Sequence, residues 1–106
     1  MYKELFNNIV DWQKITFPKA TALSKTHHLA KEVEELKEDL TNNNPHKRLE
    51  FADCFILLFG AAAEDGMSYE DITSCIEEKF EICKKRKWAE PDENGVVLHI
   101  KEDGKG

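Results

Sequence analysis

The chain has 106 residues, 41% hydrophobic and 34% charged, with a formal net charge of −6. That length suits one domain that gains from a partner subunit, and the acidity argues against a nucleic-acid binder, which needs clustered Lys and Arg for the phosphate backbone. The opening Met1-Tyr-Lys-Glu is not read as a signal peptide, and the longest apolar run, Cys54 to Ala63, is far short of a membrane span, so a cytoplasmic location is expected.

A first helix is expected over Lys3 to about Ile15, with Leu5, Phe6, Ile9 and Trp12 on its apolar face. Phe17-Pro18 interrupts it, because Pro disfavours helical geometry in the residue before it. A second helix runs from about Thr21 to Leu40. Ala22, Thr26, Leu29, Val33, Leu36 and Leu40 make one apolar stripe, and His28, Glu32, Glu35 and Asp39 make a polar one beside it. After Thr41-Asn-Asn-Asn44, Asn44 can cap and Pro45 can open a third helix, to about Glu64.

That third helix is apolar on nearly every side from Phe51 to Ala63, with Asp53 its only charge there. Such a helix needs protein all round it, so a homo-oligomer, dimer or tetramer, is expected. Asp65-Gly66 ends it, and Ser68-x-x-Asp71 is a capping-box signal for a fourth helix to about Lys87, with Ile72, Ile76, Phe80 and Cys83 as its apolar face. Pro91 to Gly95 is turn-like. Val96 to Ile100 is β-prone but has no strand of its own to pair with, and Lys101 to Gly106 should be mobile. Cys54, Cys75 and Cys83 are odd in number and lack Cys-x-x-Cys, so buried free thiols in a reducing cytoplasm are expected rather than a zinc site.

Glu32 and Glu35 are three apart on helix two, and Glu50 and Asp53 repeat the spacing on helix three. The short loop makes the two helices antiparallel neighbours, so the four acids face one another across a seam. Without a counter-ion that arrangement is costly, and Mg²⁺ or Mn²⁺, which take carboxylate oxygens, would resolve it. A solvated charged face is the alternative for Glu32 and Glu35. Asp53, inside an apolar helix with no Lys or Arg three or four residues away, favours metal. The residues three before His27, His28, His46 and His99 are Ser24, Lys25, Asn43 and Val96, so no Glu-x-x-His motif supports a di-iron site. An all-oxygen donor set points to Mg²⁺ and phosphate chemistry.

Glu32-x-x-Glu35, fourteen intervening residues and Glu50-x-x-Asp53 resemble the metal signature of the MazG-like all-α nucleoside triphosphate pyrophosphohydrolases. Trp12-Gln13, Thr16-Phe-Pro-Lys-Ala-Thr21, His28-Leu29, Lys79 through Trp88, and Asp92 through His99 extend the likeness to the dATP/dGTP diphosphohydrolase N-terminal family. The resemblance implies an oligomeric four-helix-type bundle over residues 1–88 with a C-terminal extension over 89–106. It implies Mg²⁺-dependent cleavage of a (d)NTP, such as dATP or dGTP, to (d)NMP and pyrophosphate. Glu32, Glu35, Glu50 and Asp53 would hold metal, with Glu35 and Glu50 also catalytic. Lys79 and Arg86 would meet phosphate oxygens, Trp12, Phe17 and Trp88 would frame the base, and His28 would orient a carboxylate or touch a phosphate.

Two positions depart from the family pattern. Lys31 stands where many relatives have another Glu, which leaves the proton acceptor unassigned, with Glu34 and Glu35 as the candidates nearby. Cys83 stands near a common Asn. These departures keep a non-catalytic nucleotide-sensing or protein-interaction module as the alternative.

Overall fold

In a computed structural model describing residues 1–101, the chain is all-α: α1 Lys3–Thr16, α2 Ala22–Thr41, α3 Lys47–Glu64 and α4 Tyr69–Lys85. Two compact units divide it, Met1–Ile72 and the chain from Thr73 onward. No helix among the described residues is long and apolar enough to cross a membrane.

Local chemistry sets the helix ends. Thr21 and Ser24 cap α2 reciprocally, Ser24 N–H donating to Thr21 Oγ1 at 3.0 Å and Thr21 N–H to Ser24 Oγ at 2.8 Å. Ser68 and Asp71 do the same for α4. Gly66, at φ 93°, closes α3 in the left-handed region, where its N–H reaches Ala63 O and that of Met67 reaches Ala62 O. Asn44 does not cap α3. His46 holds that position, while the Asn44 carboxamide accepts from His46 N–H and donates to Asp39, so Pro45 lies in a turn before the helix.

In the first unit α3 packs on both α1 and α2. Contacts pairing Lys25 with Glu64 and Glu35 with Glu50 make α2 and α3 antiparallel, as the short connection requires. The core gathers Phe6, Val10 and Ile72, with Phe59, Ala62, Ala63, Met67 and Tyr69 against them. Phe6 meets Phe59 edge-on at 5.9 Å between ring centres, and Tyr69 Oη donates to Met1 O.

Several faces differ from those expected. The buried row of α1 is Phe6, Val10 and Gln13, while Leu5 and Trp12 are exposed. On α2, Leu36 and Lys25 are buried but Val33 and Leu40 are exposed. Within the single chain α3 buries Leu57, Gly60 and Ala61 and leaves Phe51, Asp53, Phe55 and Leu58 exposed, in keeping with a helix that one chain of this length does not enclose. On α4 only Ile72 is buried, with Ile76 and Phe80 exposed. Cys75 is an exposed free thiol, and Cys54 and Cys83 are half-buried.

The β-prone tail does find a partner. α4 stops at Lys85, and the segment just after it pairs with the tail: Ala89 N–H donates to Leu98 O, Ile100 N–H donates to Lys87 O, and Trp88 bridges antiparallel to His99. The mobility expected from Lys101 onward falls, beyond Lys101, outside the described residues.

The most buried side chain named in the first unit is polar. Gln13, 1% exposed, donates through Nε2 to Ile56 O at 2.9 Å and accepts from Lys25 Nζ at 2.8 Å. Lys25 Nζ also lies 3.6 Å from Glu64 Oε1. A buried ammonium is tolerated only when paired, and here one carboxylate and one carboxamide oxygen serve. Gly60 leaves the room. A Cβ there would stand 2.7 Å from Gln13 Cδ, and Gln13, tied at both ends of its amide, cannot swing away cheaply. Gly60→Ala should therefore destabilise the protein by about 1–3 kcal/mol in urea unfolding, the usual cost of overpacking. In a Gln13→Ala background the same substitution should cost markedly less, because the colliding group is gone.

Candidate metal centre and adjoining cleft

The antiparallel pairing of α2 and α3 brings the helix-two and helix-three acids together as the spacing requires. One oxygen each from Glu32, Glu35 and Glu50 lies within 4.8 Å of the others. That separation suits one hard cation with oxygens at about 2.0–2.6 Å. Asp53, one turn beyond Glu50, is not in this closest group, but its charge acts on both Glu32 and Glu50. Glu32 and Glu50 are half-buried, while Glu35 and Asp53 are exposed.

Electrostatics shows what the cluster lacks. Partial burial raises the Glu32 carboxyl first, followed by a hydrogen bond with Glu35 that requires a proton, and then by the charges of Glu35 and Asp53; His28 opposes them. Glu50 is raised by partial burial, then by Asp39, Asp53 and Glu35. Its Oε2 is buried with no hydrogen-bond partner. A carboxylate oxygen without a donor, among other acids, fits a divalent cation, and the all-oxygen donor set suits Mg²⁺ or Mn²⁺. Burial and the same acids push the Cys54 thiol up, so it stays protonated beside the cluster and is a poor ligand.

His28 Nε2 lies 3.3 Å from Glu32 Oε1, one turn away on α2, a position that orients the carboxylate. Beside it opens a cleft of about 190 Å³. Trp12, Phe17, Ile56 and Leu57 form its apolar walls, Gln13 lies at its inner side, and His28, Glu32 and Asp53 supply the polar edge. Trp12 stands edge-on to Phe17 at 5.6 Å and 89°. Trp12 is thus exposed because it frames an opening. Lys79, Arg86 and Trp88 belong to the second unit, where Trp88 Nε1–H donates to Cys83 O at 3.1 Å.

Periodicity and motif spacing gave no warning of three neighbours. Asp39 shares the polar stripe of α2 but reaches Glu50 only because the Asn44 turn brings α3 back beside it. Lys25 looks like a surface lysine, and only the partners Gln13 and Glu64, far away in sequence, explain its burial. Gln13 itself could have been suspected only from its place beside Trp12.

An all-α protein with an interhelical carboxylate centre for hard divalent cations is the class these features define. A family model described as dATP/dGTP pyrophosphohydrolase matches residues 5–106, and the chain belongs to that family. It is similar to the dATP/dGTP diphosphohydrolase of Cyanophage S-2L, 38% identical over 72 residues that cover 68% of this chain and 65% of that protein. The Eaa protein of Salmonella phage P22 is 46% identical over 59 residues, 56% of this chain and 19% of that one. The chain thus spans less than two thirds of the length of either curated relative. Among solved structures, the Cyanophage S-2L MazG-like pyrophosphohydrolase bound to dGDP and three catalytic Mn²⁺ ions per active site superposes with a TM-score of 0.73 at 30% identity, covering 92% of this chain and 95% of that one.

The raised carboxyls dictate a pH response. A carboxyl raised in the folded state favours folding below its unfolded value, and that contribution is lost as pH rises through the folded value. For Glu32 and Glu50 the metal-free protein should therefore lose stability as pH climbs from about 4.5 toward neutrality. At pH 7, metal-free Glu50→Gln should melt at or above wild type. Mn²⁺ at a hundredfold excess over its Kd should stabilise wild type by about 2.7 kcal/mol and the variant much less, read by thermal melts with and without EDTA.

Proposed function

We propose that the protein is a divalent-metal-dependent pyrophosphohydrolase that cleaves purine deoxynucleoside triphosphates, such as dATP and dGTP, to the monophosphate and pyrophosphate. The observation that carries this reading is the Glu32, Glu35 and Glu50 cluster, with the Glu50 Oε2 left unpartnered, at the edge of an aromatic cleft. Membership of the dATP/dGTP pyrophosphohydrolase family supports it, as does likeness to a MazG-like pyrophosphohydrolase bound to dGDP and three catalytic Mn²⁺ ions.

Glu32, Glu35, Glu50 and Asp53 would hold the cation, Mg²⁺ or Mn²⁺, whose charge would offset both the acids and the triphosphate and make a bound water a better nucleophile. Water adds to the α-phosphorus, the bond from that phosphorus to the α,β-bridging oxygen breaks, and pyrophosphate leaves. The water's proton needs an acceptor. We take Glu35, exposed and hydrogen-bonded to Glu32, as the candidate for that role, while Glu50 would hold the cation from α3. His28 keeps Glu32 oriented. Trp12, edge-on to Phe17, offers its face to the base, and Lys79, Arg86 and Trp88 of the MazG-like domain (1–88) are assigned to the remainder of the nucleotide. The 89–106 extension follows that domain.

A second copy of the chain is the proposed cover for Phe51, Phe55 and Leu58 of α3, as a dimer or tetramer in the cytoplasm. Sedimentation at micromolar concentration should give such an oligomer, and a stable monomer would overturn this part. Product analysis over a panel of NTPs and dNTPs with Mg²⁺ or Mn²⁺ should reveal pyrophosphate and the monophosphate, purine deoxynucleotides being favoured. Glu50→Gln should lower kcat by about a hundredfold or more. Trp12→Ala should raise KM by about five- to a hundredfold, the loss of one stacking contact. Tight nucleotide binding without turnover in wild type would sink the enzymatic reading.

A further inference from the structure

The cleft beside the acid cluster has one polar group that neither the aromatic walls nor the metal site uses. Gln13 borders the cleft at its inner side, 1% exposed, with its carboxamide tied at both ends. Oε1 accepts from Lys25 Nζ at 2.8 Å, and Nε2 donates to Ile56 O at 2.9 Å. An ammonium only donates and a carbonyl only accepts, so the two partners fix which end of the amide is which. Turned over, the amide would set its NH₂ against Lys25 and its oxygen against Ile56 O, replacing two hydrogen bonds by two repulsive contacts. Gly60 packs so closely on the amide that even a Cβ there would collide with it.

A carboxamide nitrogen carries two hydrogens, and Ile56 takes one. The second has no protein acceptor among the described residues. A buried donor left unpaired is costly, so the occupant of the cleft should supply the acceptor. The other polar groups of the lining are poorly suited to that part. Glu32 and Asp53 accept when ionised, and His28 Nε2 lies 3.3 Å from Glu32. A base stacked on Trp12 lies parallel to the indole, whose N–H then points past the edge of the base. Lys25 gives strength as well as direction. Its charge at Oε1 polarises the amide and makes the remaining N–H a better donor.

We propose that Gln13, with Lys25 as its positioning residue, sets base specificity in the cleft by donating its second Nε2 hydrogen to a ring-nitrogen acceptor of the base. The assignment rests on the purine deoxynucleotide reading above and names the contact by which this cleft takes a purine. Adenine and guanine differ at C6, where one carries an amino donor and the other a carbonyl acceptor, but both present N3 and N7 as acceptors. A donor of fixed polarity facing C6 would take guanine and repel adenine. Facing N3 or N7, it takes both.

The test uses the full chain with Mn²⁺ and reads equilibrium binding of dAMP, 7-deaza-dAMP and 3-deaza-dAMP by calorimetry. Monophosphates are chosen because the proposed cleavage leaves them intact. Each analogue replaces one ring nitrogen by C–H and keeps the shape of the base. At least one of them should bind about tenfold more weakly than dAMP, because it leaves a buried donor unpaired. Loss with 7-deaza-dAMP identifies N7 as the acceptor and loss with 3-deaza-dAMP identifies N3; either supports the assignment. Gln13→Glu, close in shape and still a partner for Lys25, has no such donor and should bind dAMP and the weaker analogue equally. Lys25→Met frees the amide and should shrink the dAMP-to-analogue ratio by about threefold or more, a readout that lost stability alone does not move. By NMR, of the two Gln13 Nε2 protons, the one not engaged by Ile56 should shift with dAMP and stay put with the weaker analogue. Equal binding of all three ligands to wild type, or no binding of dAMP, would overturn the proposal however the variants fold. So would a ratio that survives Gln13→Glu. The expected ratio in a protein that never cleaves dATP would leave the role of Gln13 standing and remove only the enzymatic reading.

Discussion

Repulsion among the carboxylates between α2 and α3 is the constraint around which the first unit is arranged. Glu32 and Glu50 are both raised, by partial burial and by neighbouring acids, so each resists ionisation where it stands. Left to themselves, the acid-bearing ends of the two helices would separate. They are held by apolar contacts farther along the pair, where Leu57 and Ala61 are buried, and by the Asn44 turn, whose carboxamide ties back to Asp39. Functional clusters commonly cost stability in this way, because the geometry a ligand needs is kept in place before the ligand arrives.

The opposite end of the α2–α3 pair carries the complementary device. Lys25 is buried where Glu64 and the Gln13 carboxamide can satisfy it, and Gln13 in turn reaches the Ile56 carbonyl. One amide therefore connects α1, α2 and α3. A leucine at position 13 could fill the same space but could not hold the three helices in a fixed relation, since apolar contacts are not directional. The consequence reaches the cleft, because Gln13 lies beside Trp12 and at the inner side of the opening. Locking Gln13 thus helps to fix the aromatic wall against which a base would stack.

Helix existence, several helix ends and the acidic pair spacing were legible in the chain because each rests on local chemistry: the Ser68 cap, Phe17-Pro18, Gly66 and the three-residue steps. The start of α3 was not, because the Asn44 carboxamide is taken by Asp39 and the His46 N–H. Faces were harder. Leu5 and Trp12 satisfy the period of an apolar stripe as well as Val10 does, and nothing in hydropathy separates a residue that fills a core from one that frames a cleft. Asp53 shows a related ambiguity. An apolar neighbourhood in sequence does not say whether cover comes from the same chain, and Asp53, like Phe51, Phe55 and Leu58, lies open within this one. Lys25, Gln13 and the pairing of Trp88 with His99 depend on contacts between distant elements, which no local pattern encodes.

Charge explains why so small an acidic chain should depend on a cation. Phosphate oxygens approaching Glu32, Glu35, Glu50 and Asp53 would meet repulsion unless a divalent cation intervened. The unpartnered Glu50 Oε2 and the proton shared between Glu32 and Glu35 express the same demand from within, since the acids resist ionising together without a counter-charge. A cation held by all of them would in turn be largely neutralised, so it would act on the atoms it touches and attract distant anions only weakly.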